Sequence, residues 1–221
     1  MASRRQNADG LILLGKSNDH LISYLKKVYP AIVGVDRNPT DFAYDEVYCN
    51  GVNAAAMAMN YLISLGHRHI AYIGDCSYEA RYIGYYQTLM VHKIPLDYSM
   101  VFPAHQTREA GYQTMLQILE KKWERGVQPT AFFCANDSTA LGVLDAIRAK
   151  RLKHDIPAVI SIDNIKESAE STPMLTTIAI PTREMGHHAV SILMDRLRGH
   201  HEENIRIELP CHLVIRESCN E

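Results

Sequence analysis

Short, wholly apolar runs alternate with longer stretches of helical periodicity along nearly the whole chain. Leu11-Ile12-Leu13-Leu14, entered through Asp9-Gly10, is apolar at every position, which predicts a strand buried on both faces. Residues 18–28 predict a helix that ends before Pro30, and Ala31 to Val35 a second strand, closed by the polar turn Asp36-Arg37-Asn38-Pro39. Glu46 to Cys49 predicts a short third strand. Asn50 then caps a helix to Leu65 whose apolar stripe runs Val52, Ala55, Ala56, Met59, Leu62, Ile63. Gly66 ends that helix, because glycine enters the left-handed conformation there without strain. Ile70-Ala71-Tyr72-Ile73 has strand length, and Gly74 lets the chain leave the sheet.

The alternation continues. A helix is predicted from about Tyr78 to Val91, a short strand at Met100-Val101-Phe102, and a helix over 108–122 buried through Met115, Leu116, Ile118 and Leu119. Ala131-Phe132-Phe133-Cys134 reads as a strand, and Asn136-Asp137 as the cap of a helix with Ala140, Leu141, Val143, Leu144 and Ile147 at helical spacing. Pro157 to Ile162 and Thr176 to Ile180 read as strands, with Asp163-Asn164 after the first. Thr182 is predicted to cap a helix closed by Gly199, and 205–209 and 212–215 alternate as strands do. Strands separated by helices imply right-handed crossovers and parallel sheets. The strands are too many for one compact sheet, so two lobes are expected.

Composition narrows the class. The 221 residues suffice for a real core, and the net charge of −2 gives no general attraction to nucleic acid or anionic membrane. Arg4-Arg5 is the only basic cluster, too little for a DNA-reading surface. No apolar run approaches the roughly 20 residues that span a bilayer, and the start lacks the apolar core of a secretory signal. Cys49, Cys76, Cys134, Cys211 and Cys219 form no C-x-x-C pair and read as reduced thiols of a cytoplasmic protein. His187-His188, His200-His201 and Cys211-His212 lack metal-ligand spacing, so no metal is expected. No phosphate-cradling glycine loop or nucleophile elbow occurs, so neither a cofactor nor catalysis is expected.

Nine segments in order carry a resemblance. They are Ala8-Asp9-Gly10, Pro30 through Asp36-Arg37, Gly66-His67-Arg68, Arg81-Tyr82-Ile83-Gly84, Pro129 through Asn136-Asp137 to Gly142, Ile160 through Asp163-Asn164, Pro173 through Ile178, Glu184-Met185-Gly186 and Arg216-Glu217-Ser218. Together they resemble the effector-binding core of the lactose/galactose repressor (LacI/GalR) family of bacterial transcription regulators. The resemblance implies an α/β, two-lobed fold of the periplasmic-binding-protein-like type I, with Rossmann-like lobes and parallel sheets. It implies lobes at 1–74 plus 181–209 and at 75–180 plus 210–221. Asp9-Gly10 matches the family's third strand, so the first lobe is expected to be incomplete and the helix-turn-helix DNA-binding domain absent. The strand at Leu11 to Leu14 would then present an unpaired edge, a site of self-association. Two departures stand out: Cys49 precedes Asn50 where the family commonly has Asp, and Ile180 stands where sugar-binding members often carry Gln.

The resemblance implies a small sugar-like effector bound between the lobes, allosterically controlling DNA binding in a homodimer whose contacts include the small residues of the 50–65 helix. Operator DNA would be reached only through the missing domain, and no membrane partner is implied. Its ligand residues would be Asp36, Arg37, Arg81, Asn136 and Asp163, each just past a strand's carboxyl end or opening a helix there. Arg81 offers a rigid fork suited to hydroxyl pairs, carboxylates and phosphates alike. Each has a plainer reading: Asp36-Arg37 a solvated turn, Arg81 a surface ion pair, Asn136 a helix cap, Asp163 a turn aspartate. Tyr78, Tyr82 and Tyr85 cluster near Arg81, with Tyr85 better suited to the core. The alternative function is a solute-binding protein of a sugar transport system.

Overall fold

The structure is a computed structural model describing residues 8–15, 19–36, 44–77, 79–121, 127–151 and 156–219. In chain order the elements begin β1 (Gly10–Leu14), α1 (Asp19–Val28), β2 (Ala31–Val35), β3 (Asp45–Cys49), α2 (Gly51–Ser64), β4 (Ile70–Gly74), α3 (Ala80–Val91), β5 (Val101–Pro103) and α4 (Arg108–Glu120). There follow β6 (Ala131–Cys134), α5 (Asp137–Ala149), β7 (Ala158–Asp163), α6 (Lys166–Glu170), β8 (Thr176–Ala179), α7 (Thr182–Leu197), β9 (Arg206–Leu209) and β10 (His212–Val214). A four-stranded sheet runs β1-β2-β3-β9 and a six-stranded sheet runs β10-β8-β7-β6-β4-β5. Every pairing is parallel except β10 on β8. No helix among the described residues is long and apolar enough to cross a membrane.

Two compact units result, residues 1–49 with 181–210 and residues 50–180 with 211–221. The first crossing lies at Cys49–Asn50 and not after Gly74, where the sequence placed it. The reason is pairing: β4 hydrogen-bonds to β5 and β6 of the six-stranded sheet, and α2 packs on α3 and β7. The last crossing falls one residue later than expected, after Pro210.

In the first unit, strand alternation sends Leu11 and Leu13 toward the α1 side with Ile22, Ile32 and Tyr44, while Gly10 backs onto Leu193 of α7. β1 is an edge strand and only half-buried, with Leu14 77% exposed, so the expectation of a strand buried on both faces fails there. α7 begins at Thr182 itself, with Pro181 before it, so Thr182 is not the cap. The unit's charged anchor is Asp45, fully buried at the start of β3. Arg196 from the last turn of α7 donates to both of its oxygens, at 2.5 and 2.8 Å, and the Ile205 N–H donates at 2.7 Å. The His201 ring nitrogen lies 3.1 Å away. Burial alone would raise the Asp45 pKa, but the bonds from Arg196, Ile205 and His201 outweigh it and hold the carboxyl below its usual range.

The second unit shows period-two alternation throughout. Tyr72, Phe133, Ile160 and Ile162 face α2 and α3, whereas Ala71, Ile73, Phe132 and Val159 face α4 and α5. Gly66, at φ 94°, closes α2 as predicted: the Gly66 N–H reaches Ile63 O at 3.0 Å and the His67 N–H reaches Leu62 O at 3.2 Å. Asn50 caps its start, its side-chain oxygen accepting from Val52 N and Asn53 N. Three of the small residues of α2 turn inward, whereas Gly51 and Ala56 are half-buried. Ala54, Ala55 and Ala58 are fully buried against α3 and the sheet, and Met59 and Leu62 beside them each contribute about 1.5–3 kcal/mol by leaving water.

Gly84 sits where α3 crosses α2, and a Cβ there would stand 2.5 Å from Val52 O and 2.6 Å from Ala55 Cβ. Gly84→Ala therefore has to push two helices apart, and urea unfolding should show a loss of about 1–3 kcal/mol. A second expectation concerns acid. The depressed Asp45 pKa gives stability present above the ordinary carboxylate value near about pH 4 and lost as pH falls through the lower folded value. Arg196→Leu should remove that acid dependence and lower stability by about 3–5 kcal/mol at neutral pH, read from melting curves across pH.

Candidate functional site

The strand order puts the carboxyl ends of β4, β6 and β7 side by side, and each is followed directly by a polar junction. α3 starts six residues after β4, so Arg81 is its second residue and overhangs the neighbouring strand ends. Its Nη1 donates to Ala135 O, just past β6, at 2.8 Å, and its Nη2 lies 3.3 Å from Asp163 Oδ1 at the end of β7. Glu79 Oε1 stands 4.0 Å from Arg81 Nε. The guanidinium is thus not a surface ion pair: its side chain is 17% exposed and bridges three adjacent strand–helix junctions. Such a fork beside a carboxylate can give hydrogen bonds to one hydroxyl and accept from the next.

Asp163 is held in a strained turn. Its φ is 128° and that of Asn164 is 57°, backbone conformations that non-glycine residues adopt at a cost of about 1–3 kcal/mol when the surroundings impose them. The surroundings here are specific. Arg216 Nη2 donates to Asn164 Oδ1 at 2.6 Å, while its Nη1 donates to Leu175 O at 2.7 Å. Asp137, fully buried in the first turn of α5, accepts from Ser161 Oγ at 2.5 Å, from Thr177 Oγ1 at 2.6 Å and from Ile165 N at 2.8 Å. One carboxylate therefore ties β7, β8 and the turn after Asp163 together. Burial pushes its pKa above the usual range despite those bonds. Sequence reading took Asp137 for a helix capper; the cap is Asn136, and Asp137 faces inward.

Asn136 combines two tasks. Its Oδ1 accepts from Thr139 N at 2.9 Å as the α5 cap, and its Nδ2 donates to Gln106 O at 3.1 Å beyond β5. The plainer capping reading is what the geometry displays. Asp36 ends β2 in the other unit, at φ 52°, with its N–H bonded to Val47 O at 2.9 Å. Arg37 and Tyr78 lie outside the described residues. Tyr85 is 1% exposed, donates to Ile70 O and belongs to the core of the unit, whereas Tyr82 is half-buried and packs its ring against that core, 5.2 Å from Tyr72. Arg81, Asn136 and Asp163 are thus brought to one sheet edge. Glu79, Asp137 and Arg216 were missed as contributors, because nothing in their spacing distinguishes an inward-facing charge from a solvated one. Among the described residues no group of three His, Cys, Asp or Glu is placed to hold a metal ion.

Comparison with known proteins gives a consistent answer. The family profile described as periplasmic binding protein-like domain matches residues 59–219. The transcriptional repressor CytR of Escherichia coli (strain K12) is 33% identical over 220 residues, covering 95% of this chain and 62% of the repressor. The repressor MelR of Bacillus subtilis is 28% identical, covering 96% of this chain and 63% of its own length. The chain thus spans less than two thirds of the length of these relatives. Among solved structures, the transcriptional regulator CelR in complex with cellobiose superposes with a TM-score of 0.85 at 28% identity, covering 96% of this chain and 66% of that one. A LacI family regulator from Enterococcus faecium with bound ribose gives 0.84 at 27% identity, covering 97% and 81%. These relatives are transcription regulators. With the parallel sheets and the polar junctions at their carboxyl edge, the match shows that the chain belongs to the periplasmic-binding-protein-like domain family, in the form carried by LacI-type transcription regulators.

Proposed function

We propose that this chain is the effector-sensing part of a bacterial transcription regulator and takes a small sugar-like ligand at the carboxyl edge of its six-stranded sheet. The observation that carries the reading is the Arg81 fork laid across Ala135 O and Asp163, at the ends of neighbouring strands. Asp163 accepts hydroxyl protons, Arg81 donates, and Asn136 adds its amide beside them. Asp36, just past β2, is proposed as a further ligand residue. The cellobiose and ribose bound by two structural relatives support a ligand rich in hydroxyls. The repressor relatives favour this reading over a solute-binding protein of a transport system.

Homodimer formation, operator DNA as the regulated partner and a cytoplasmic setting belong to the same proposal. Ligand control of DNA affinity requires only that the effector bind one of two states more tightly. The coupling equals that difference in binding free energy.

A thermal-shift screen of mono- and disaccharides tests the reading. At least one saccharide should raise the melting temperature in a saturable way, and Arg81→Ala should weaken its binding by about tenfold or more, the loss of a charge-assisted bond pair. A saccharide bound equally well by Arg81→Ala would contradict the site.

A further inference from the structure

We propose that Glu79 is a specificity-determining residue: it keeps Arg81 charge-compensated, so that the site accepts uncharged hydroxyl-bearing ligands and turns away phosphorylated or carboxylated ones. The inference deepens the proposed function and rests on the sheet edge being a ligand site. Arginine alone does not choose between a diol and a phosphate, since its fork fits both. The choice is made by what already surrounds it.

Glu79 is the N-cap residue of α3 yet makes no side-chain capping bond. It is only 8% exposed, and its carboxylate lies beside Arg81 Nε at 4.0 Å. The residue that opens α3, where an incoming phosphate would gain most, thus carries a negative charge of its own beside Arg81. The same guanidinium lies 3.3 Å from Asp163 Oδ1 through Nη2. Two carboxylates, those of Glu79 and Asp163, thus pair with this one guanidinium. The other nearby guanidinium, that of Arg216, donates to Asn164 Oδ1, Leu175 O and Ser168 Oγ beneath the turn.

An anionic ligand would have to displace Asp163 from Arg81 or add another negative charge around it, at close range and in part-buried surroundings where repulsion is weakly screened. A neutral vicinal diol meets no such penalty. One hydroxyl accepts from Arg81 Nη2, the next donates to Asp163 Oδ1, and the pair is bridged without leaving either charge unpaired. Glu79 acts through Arg81 and not by ligand contact.

The test titrates inorganic sulfate, a compact anion probe, into the wild-type chain and into Glu79→Gln, following the Arg81 Nε–H resonance by nitrogen-15 NMR. The wild-type resonance should stay unmoved across the millimolar range. Glu79→Gln should show saturable sulfate binding, tighter by about tenfold or more, as removal of a charge about 4 Å away implies. Glu79→Ser, which supplies a capping hydroxyl, should behave like Glu79→Gln and guards against a folding defect. Sulfate saturating the wild-type Arg81 as tightly as the variants would overturn the proposal, as would variants that gain no sulfate affinity while remaining folded. The saccharide screen stands apart: saccharide binding with sulfate-insensitive selectivity sinks only this inference, whereas absence of any saccharide binding sinks the function.

Discussion

One guanidinium sets the geometry of the sheet edge. Arg81 reaches from the first turn of α3 to the ends of β6 and β7, and its position follows from the shortness of the β4–α3 junction and from the packing behind it. Gly84 lets α3 lie against Val52 and Ala55 of α2, and Tyr85 bonds back to Ile70 O. The R-x-x-G spacing thus has a mechanical meaning. Arginine projects over the strand ends because glycine one turn later allows the helix to sit close to its neighbour. The pairing with Asp163 and Glu79 then holds the fork, which would lower the ordering cost of binding the proposed ligand.

Both units solve the same problem of a buried carboxylate, in opposite electrostatic ways. Asp45 is satisfied by Arg196, the Ile205 N–H and His201, and its charge is stabilised. Asp137 is satisfied by two hydroxyls and a backbone N–H without any cation among its partners, so burial dominates and the pKa rises. The first joins α7 to the four-stranded sheet. The second supports the strained turn that presents Asp163, and Arg216 braces the same turn from below. Strain at Asp163 and Asn164 is thereby maintained by the surrounding bonds.

Much of this was legible in the sequence. Apolar runs gave the central strands β4 and β6 of the six-stranded sheet, because these are buried on both faces and need no polar alternation. Asn50, Gly66 and Asn136 act where local chemistry said they should. The errors are equally instructive. The domain crossing at Cys49 was unreadable because β4 looks identical whichever sheet it joins, and pairing is a long-range property. The apolar run of β1 reads as buried on both faces, but the strand lies at the sheet edge, as the family resemblance implied. Asp137 looked like a capper because inward-facing carboxylates and capping ones share the same sequence context. Glu79 escaped notice for the same reason, although its neighbour Arg81 was singled out.

The central claim is that Arg81 and Asp163 form one preorganised acceptor–donor pair for ligand hydroxyls. A double-mutant cycle tests it most directly: affinities of wild type, Arg81→Ala, Asp163→Ala and the double variant for the saccharide giving the largest thermal shift, measured by calorimetry. If the two act together on one ligand, their losses are strongly non-additive and the double variant is little worse than either single one, a coupling of about 0.5–3 kcal/mol. Independent, fully additive losses, or none at all, would contradict the account.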